Sequence, residues 1–286
     1  MEVTRLTGVI GAEVGGLDLA AELSRTSITD VVAELVAVLD EHHVVVLRGQ
    51  DLSPEAQVEL SHHFGPPSLT PFIGTMPDHP EVIRVVKEAD EADAFNFGGA
   101  WHSDFSFLER PPSYTLLHAV DVPPFGGDTV YTNMVAALEH LPGDLREVVE
   151  HPGALGIHTA TDAYSPKLQF LHDGLRHMDI RTDESADERR THPLVCVHPT
   201  SGRRVLFFNQ AYVRDLEGVD VASVPMVLAR LHQHSTDHRF TFRHRWRNGD
   251  LVIWDNRATQ HLAVNDYGGQ RRELRRTTVE GTAPAP

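Results

Sequence analysis

From Glu81 to Val279 the chain is cut by Pro and Gly into short β-branched or aromatic runs, and this punctuation limits the fold more than any other feature. The runs are Val82 to Val86, Tyr114 to Ala119, Thr129 to Thr132, Leu194 to His198, Val205 to Phe208, Phe240 to Arg245, Leu251 to Trp254 and Arg275 to Val279. Many short strands with turn signals between them predict a sandwich or barrel. An earlier run, His43 to Arg48, reads as a buried strand that stops at Gly49. Helices are predicted where Ser27 precedes Val31, Leu35 and Leu39, and where Ser53-Pro54-Glu55 opens a segment that turns Leu60 and Phe64 to one side and ends at Gly65. Two more are expected, from Met134 to Leu141 before Pro142 and from Ser223 and Pro225 to His234, both packing outside the sheets.

No repeat, linker or change in composition divides the sequence, so residues 1–286 are expected to form one domain, mainly β with flanking helices. The polar stretch Thr159 to Arg190 reads as a long insertion between strands, and such loops often cover active sites as lids. Residues 282–286 are expected to be flexible.

Apolar residues make up 41% of the chain, enough for one large core. Against 25 Lys and Arg stand 41 Asp and Glu, and the net charge of −16 repels nucleic acid and anionic membrane surfaces. An anionic ligand therefore needs a local cluster of Arg. The single cysteine, Cys196, has no intrachain partner, and the N-terminus lacks a basic segment followed by an apolar run. No apolar stretch approaches the roughly 20 residues needed to span a bilayer. These features predict a cytoplasmic protein that binds neither nucleic acid nor membrane. They leave its oligomeric state open, a homo-oligomer included.

The chemistry centres on His102-Ser103-Asp104. In an extended segment residues two apart share a face, so one imidazole and one carboxylate can reach one metal. Two histidines and a carboxylate on one side of iron(II) leave positions for oxygen and a chelating co-substrate. His-x-Asp is weak evidence alone, since His177-Met178-Asp179 repeats it and His79-Pro80-Glu81 comes close. His102 follows Gly98-Gly99 and precedes Phe105 and Phe107, as expected where a loop enters a half-buried strand, whereas His177 lies in the polar insertion. A third ligand is suggested at His261, after Gly249-Asp250 and the apolar run Leu251 to Trp254.

His102-Ser103-Asp104, the segment Trp254-Asp255-Asn256-Arg257-Ala258-Thr259-Gln260-His261 and the Arg-rich strand after it resemble the TauD/TfdA family of iron(II)- and 2-oxoglutarate-dependent dioxygenases. The likeness runs from His43-Val44-Val45-Val46-Leu47-Arg48-Gly49-Gln50 to Arg276. It implies a double-stranded β-helix, the cupin-like jelly roll, with His102, Asp104 and His261 as catalytic iron ligands. It also implies Thr129 and Arg272 as the residues that hold the far carboxylate of 2-oxoglutarate, with O2 as second co-substrate. The implied reaction yields succinate and carbon dioxide and hydroxylates a small organic substrate, with cleavage where the attacked carbon bears sulfur, oxygen or nitrogen. Arg276, on the same strand face as Arg272, corresponds to the residue that grips an anionic substrate in relatives that oxidise sulfonates and aryloxy acids. Arg271 and Arg275 then face the other way, toward solvent.

Taurine-oxidising members resemble one another at three polar positions that hold Thr70, Ile73 and Gly98 here. Their loss predicts a larger, more apolar pocket unsuited to taurine, and favours sulfonates, sulfate esters or aryloxy and other carboxylic acids. Asp104 disfavours a halogenase, which needs a small residue there. Two other classes stay open: a zinc hydrolase using the same ligands, and a catalytically silent jelly roll that binds 2-oxoglutarate. Asp255 could orient His261 or cap a strand end.

Overall fold

The computed structural model describes residues 1–25, 27–70, 72–91, 96–169 and 177–286. In chain order its strands begin with β1 (Glu2–Arg5), β2 (Ala12–Gly15), β3 (Val44–Leu47), β4 (Ile83–Lys87) and β5 (Tyr114–Asp121). They continue with β6 (Thr129–Asn133), β7 (Leu155–His158), β8 (Arg190–Pro193), β9 (Val195–Val197) and β10 (Arg204–Leu206). The last are β11 (Val213–Glu217), β12 (Thr241–His244), β13 (Leu251–Asp255), β14 (Thr259–Ala263) and β15 (Arg272–Thr278).

A large sheet has the order β1-β2-β3-β13-β5-β15-β4, and a small one the order β12-β6-β14. Its central pairs, β3 with β13, β13 with β5 and β5 with β15, are all antiparallel. The chain steps between the two sheets: β5, β13 and β15 lie in the large one, and β6, β12 and β14 in the small one. This alternation makes the double-stranded β-helix, so the jelly-roll expectation holds.

Strands β3 and β13 are buried at every position, as strands are when both faces of their sheet are covered. On the outer face Val45, Leu47, Leu116, Leu251 and Ile253 pack under the helices Leu19–Leu23, Ile28–His42 and Pro54–Phe64. Helix Ile28–His42 buries Ile28, Val32, Leu35 and Leu39, an amphipathic stripe. Leu35 and Leu39 have no exposure, and burying each side chain contributes about 2 kcal/mol. On the inner face Val44, Val46, Leu117, Val252, Trp254 and Leu274 meet Tyr131 of the small sheet.

Local chemistry explains where several predictions hold and fail. Ser53 caps its helix by accepting from Ala56 N at 3.2 Å. Ser27 makes no cap bond and instead donates its hydroxyl to Glu22 Oε2 at 3.2 Å. The run expected from Phe240 splits into a 3₁₀ turn, His238–Phe240, and β12. Between 159 and 190 the chain forms the short helix Thr161–Tyr164 and the 3₁₀ turns Pro166–Leu168 and Glu184–Asp187. Tyr164, Met178, Ile180 and Ala186 of this segment are buried with Phe72, Phe107 and Tyr212. Its residues 170–176 lie outside the described residues. The tail is tied at one point, where Val197 N donates to Ala285 O at 2.9 Å. Among the described residues no helix is long and apolar enough to cross a membrane.

Candidate active site

His102 lies beside the free edge of β14. Its N–H donates to His261 O at 3.1 Å and His261 N donates back to His102 O at 2.8 Å, a reciprocal bridge that draws residues 159 positions apart in the chain together. The two rings lie 4.1 Å apart. Asp104 Oδ1 is 3.6 Å from His102 Nε2 and 3.9 Å from His261 Nε2. The three candidate ligand atoms fall within 4.8 Å of one another, and all three residues are buried. After Asp104 the chain turns instead of continuing as the strand expected from Phe105 and Phe107: Phe105 adopts φ 45° and Leu108 N donates back to Phe105 O at 2.9 Å. A positive φ at a bulky residue is strained, and here it buries the Phe105 ring beside Arg276, 4.9 Å from that guanidinium.

Each ligand atom has a physical reason to point inward. His102 Nδ1 lies 2.7 Å from Ala100 O; a carbonyl only accepts, so the ring's hydrogen sits on Nδ1 and leaves Nε2 bare for a metal. Burial, reinforced by His102, holds His261 well below the usual imidazole pKa, which keeps it in the neutral form that a metal would require. Burial alone lifts the Asp104 pKa, but Arg276 and the two histidines outweigh it and hold the carboxyl far below its ordinary value. Asp104 Oδ2 accepts from Thr115 Oγ1 at 2.7 Å. Asn256 donates from Nδ2 to Thr115 Oγ1 at 2.8 Å, and its Oδ1 accepts from Trp254 Nε1 at 2.9 Å and from Asp104 N at 3.3 Å. Sequence reasoning missed Thr115 and Asn256, and for Asp255 left two roles open, orienting His261 or capping a strand end. The structure shows the second: Asp255 Oδ1 accepts from Arg257 N at 2.8 Å where β13 ends, and its carboxylate also meets His198, 2.9 Å away, and the Arg257 side chain, while His261 Nδ1 has no partner among the described residues.

Two arginines frame this group. On β15, Arg272, Leu274 and Arg276 are buried in alternation, as a period of two requires, so both guanidiniums lie on the inner face. Arg272 lines a narrow cleft with Thr129, His102 and His261. It is 5% exposed, its Nε has no partner among the described residues, and burial lowers its pKa. Gly127 makes room for it: φ there is 65°, and a Cβ would sit 3.1 Å from Arg272 Nε. Arg276 Nη1 donates to Asp104 Oδ1 at 3.2 Å, while its buried Nε and Nη2 have no partners among the described residues.

Arg276, His102 and Asp104 also open onto a cavity of about 270 Å³ walled by Phe97, Phe105, Tyr164, Ile180 and Tyr212. Gly98 borders both spaces, with φ 75° and its missing Cβ 3.4 Å from His102 Cε1. Asp162 and Arg214 form an ion pair of 2.7 Å beside this cavity. Of the other two residues singled out, Ile73 is buried in the aromatic cluster, and Thr70 Oγ1 takes a 3.5 Å bond from Phe72 N.

Among the described residues the rival motifs form no metal group. His177 is exposed and pairs with Glu91, and Asp179 with Arg181. His79 pairs with Glu55, and Glu81 with His62. The solvent-facing expectation for Arg275 needs correction, since it donates to Leu52 O and contacts His118 Nδ1 at 2.9 Å. Arg271, just before β15, is partly exposed and paired with Glu88, Asp121 and Glu273.

The sequence profile described as taurine catabolism dioxygenase TauD, TfdA family matches residues 2–278. The chain belongs to the TauD/TfdA family. It is 33% identical to a Pseudomonas putida alpha-ketoglutarate-dependent sulfate ester dioxygenase, over 99% of this chain and 91% of that one. It is 35% identical to the Cupriavidus pinatubonensis alpha-ketoglutarate-dependent 2,4-dichlorophenoxyacetate dioxygenase, over 95% and 94% respectively. A crystal structure of a taurine dioxygenase from Burkholderia xenovorans superposes with a TM-score of 0.78 at 33% identity, covering 99% of this chain and 92% of that one. That of AAD-2 in complex with Mn(II) and N-oxalylglycine gives 0.76 at 27% identity, with both chains covered in full. This TauD/TfdA member is a 2-oxoglutarate-dependent dioxygenase with a jelly-roll fold. Its relatives carry the names of different substrates, so the likeness carries the chemistry and not the substrate.

Proposed function

We propose that His102, Asp104 and His261 hold iron(II), that Thr129 and Arg272 hold the far carboxylate of 2-oxoglutarate, and that Arg276 takes the anionic group of a small organic substrate. One observation carries this reading: two buried arginines, four residues apart on one strand face, both line the narrow cleft beside His102 and His261, and Arg276 alone of the two also opens onto the larger cavity. A buried guanidinium is costly unless an anion meets it; among the described residues Arg272 Nε has no partner, and Arg276, though paired with Asp104, keeps Nε and Nη2 unpartnered. The donor set fits too. Two neutral imidazoles and a carboxylate on one side suit iron(II) with open positions, and a relative crystallised with Mn(II) and the amide analogue of 2-oxoglutarate supports that pairing. A zinc hydrolase gives Arg272 and Thr129 nothing to do, and a silent binding protein has no use for a complete triad.

When bound, iron(II), 2-oxoglutarate and O2 supply oxidising power, releasing succinate and carbon dioxide while a substrate C–H bond becomes C–OH. The chain's own residues position and exclude. Thr115 occupies Asp104 Oδ2 and leaves Oδ1 facing both histidines. Arg272 is planar and can meet a carboxylate with two parallel N–H groups. Arg276 places an anionic head beside the metal ligands, and the aromatic walls cover an apolar body and keep water from it. Gly98 offers no polar side chain, so taurine, which is small and polar throughout, fits this cavity less well than a sulfate ester, a larger sulfonate or an aryloxy acid. The large sheet draws strands from Glu2 to Thr278, which supports reading residues 1–286 as one domain.

The test is anaerobic iron(II) and 2-oxoglutarate binding followed by oxygen, with succinate measured for wild type and His102→Ala against alkyl sulfates, alkyl sulfonates and aryloxyacetates. Succinate that depends on His102 and rises stoichiometrically with oxidation of one class supports the reading and names the class. A folded protein that carries zinc and makes no succinate would overturn it.

A further inference from the structure

Trp246 stands between β12 and β13, 5% exposed, with its ring edge-on to His244 at 4.6 Å. Its Nε1 donates to Thr129 Oγ1 at 3.0 Å. An indole nitrogen can only donate, whereas a hydroxyl can do both. With the indole hydrogen on its oxygen, Thr129 must send its own hydrogen elsewhere, and among the described residues nothing accepts it. The remaining direction is the narrow cleft that Thr129 shares with Arg272, His102 and His261. Arg272 is donor-only as well, and its guanidinium carbon lies 5.9 Å from both the Trp246 and Tyr267 rings. Donors thus converge on this end of the cleft.

We propose that Trp246 is a positioning residue that fixes Thr129 as a hydrogen-bond donor, so that this end of the cleft takes a group with acceptors and no donors, a carboxylate and not a carboxamide. This rests on reading Thr129 and Arg272 as the 2-oxoglutarate contacts. A carboxylate presents only acceptors and satisfies both residues. The NH2 of a carboxamide meets either the Thr129 hydrogen or an Arg272 N–H, and two buried donors are left facing each other. Without the indole N–H, the Thr129 hydroxyl can rotate and accept from that NH2, and the discrimination shrinks. Trp246 acts through Thr129 and needs no contact with the co-substrate.

The experiment compares wild type, Trp246→Phe, Thr129→Val and the double variant as iron(II)-loaded protein without oxygen. Dissociation constants are measured for 2-oxoglutarate and for 2-oxoglutaramate, its far-end amide, from the visible band of the iron–keto-acid chelate. Trp246→Phe should weaken 2-oxoglutarate by about 5- to 10-fold, narrow the preference for the acid over the amide by a similar factor, and add nothing in the Thr129→Val background. Equal weakening of both ligands, or full additivity with Thr129→Val, would mean that Trp246 only supports packing and would overturn the proposal while leaving the Thr129 assignment intact. If Thr129→Val itself leaves 2-oxoglutarate binding unchanged, the assignment and the proposal fall together. Should Trp246→Phe not fold, 3-benzothienylalanine at position 246 keeps the ring's shape without the N–H and must give the same narrowing.

Discussion

Thr115 lies 11 residues beyond Asp104 and gives that carboxylate its only neutral hydroxyl donor among the described residues. A ligating carboxylate whose second oxygen is satisfied presents the first at a fixed angle, and loss of such outer support typically costs 10–100-fold in metal affinity. Thr115→Val, nearly the same shape, should therefore weaken Mn(II) or Co(II) binding by about 10-fold or more in a competitive titration, and lower the unfolding midpoint of the metal-free protein, since Asp104 Oδ2 and Asn256 Nδ2 each lose a buried partner. Unaltered affinity would mean that Arg276 and the backbone suffice to hold Asp104. The His/Asp/His group itself was legible in sequence, because few residue types suit a metal and His102-Ser103-Asp104 and His261 stand in family order. Thr115 and Asn256 were not. Threonine and asparagine have too many ordinary uses to stand out, and Asn256 reaches Asp104 across 152 positions.

At the scale of single elements, alternation on β15 correctly put Arg272 and Arg276 on one face, but it said nothing about what covers the other, so Arg275 was assigned to solvent although Leu52 and His118 engage it. The helix Ile28–His42 shows the same limit. Its periodicity was plain, yet nothing in sequence marks His43 as its end, with φ 63°, its N–H on Leu39 O at 2.7 Å and 2% exposure. Burial, aided by Arg203 and opposed by Asp255, takes the His43 pKa from 6.5 down to about 4. Above pH 6.5 the ring is neutral folded or unfolded, and contributes no pH dependence. As pH falls below 6.5 the unfolded chain binds a proton that the folded one refuses, so stability declines until the folded ring titrates near pH 4. Each pH unit in that window is worth about 1.4 kcal/mol, or roughly 3 kcal/mol in all. His43→Asn keeps a residue that tolerates positive φ and removes the titration. Urea unfolding from pH 7 to 4.5 should show a shallower decline for the variant than for wild type, though His118, His158 and His192, also depressed chiefly by burial, leave some slope in both. Parallel curves would mean that water reaches the His43 ring.

For the molecule as a whole, short punctuated strands announced a β fold, but which sheet each strand joins depends on pairings such as β3 with β13, more than 200 residues apart, that no local pattern encodes. Net charge is different: it needs no fold to be read, and at −16 it acts on every ligand approaching from solution. If the substrate is an anion, it must cross a repulsive field before it reaches Arg276, because the attraction of a buried cation is local and Asp162 neutralises Arg214 at the cavity side. Salt screens the long-range repulsion first, with a Debye length of about 30 Å at 0.01 M and about 8 Å at 0.15 M, and leaves a contact of a few ångströms nearly intact. With 2-oxoglutarate saturating, kcat/KM for an anionic substrate should rise about two- to threefold between those salt concentrations, and kcat should not. A neutral ester of the same substrate should show no rise. Should kcat/KM fall with salt instead, the field at the cavity is positive despite the total charge, and the arginines there govern approach as well as binding.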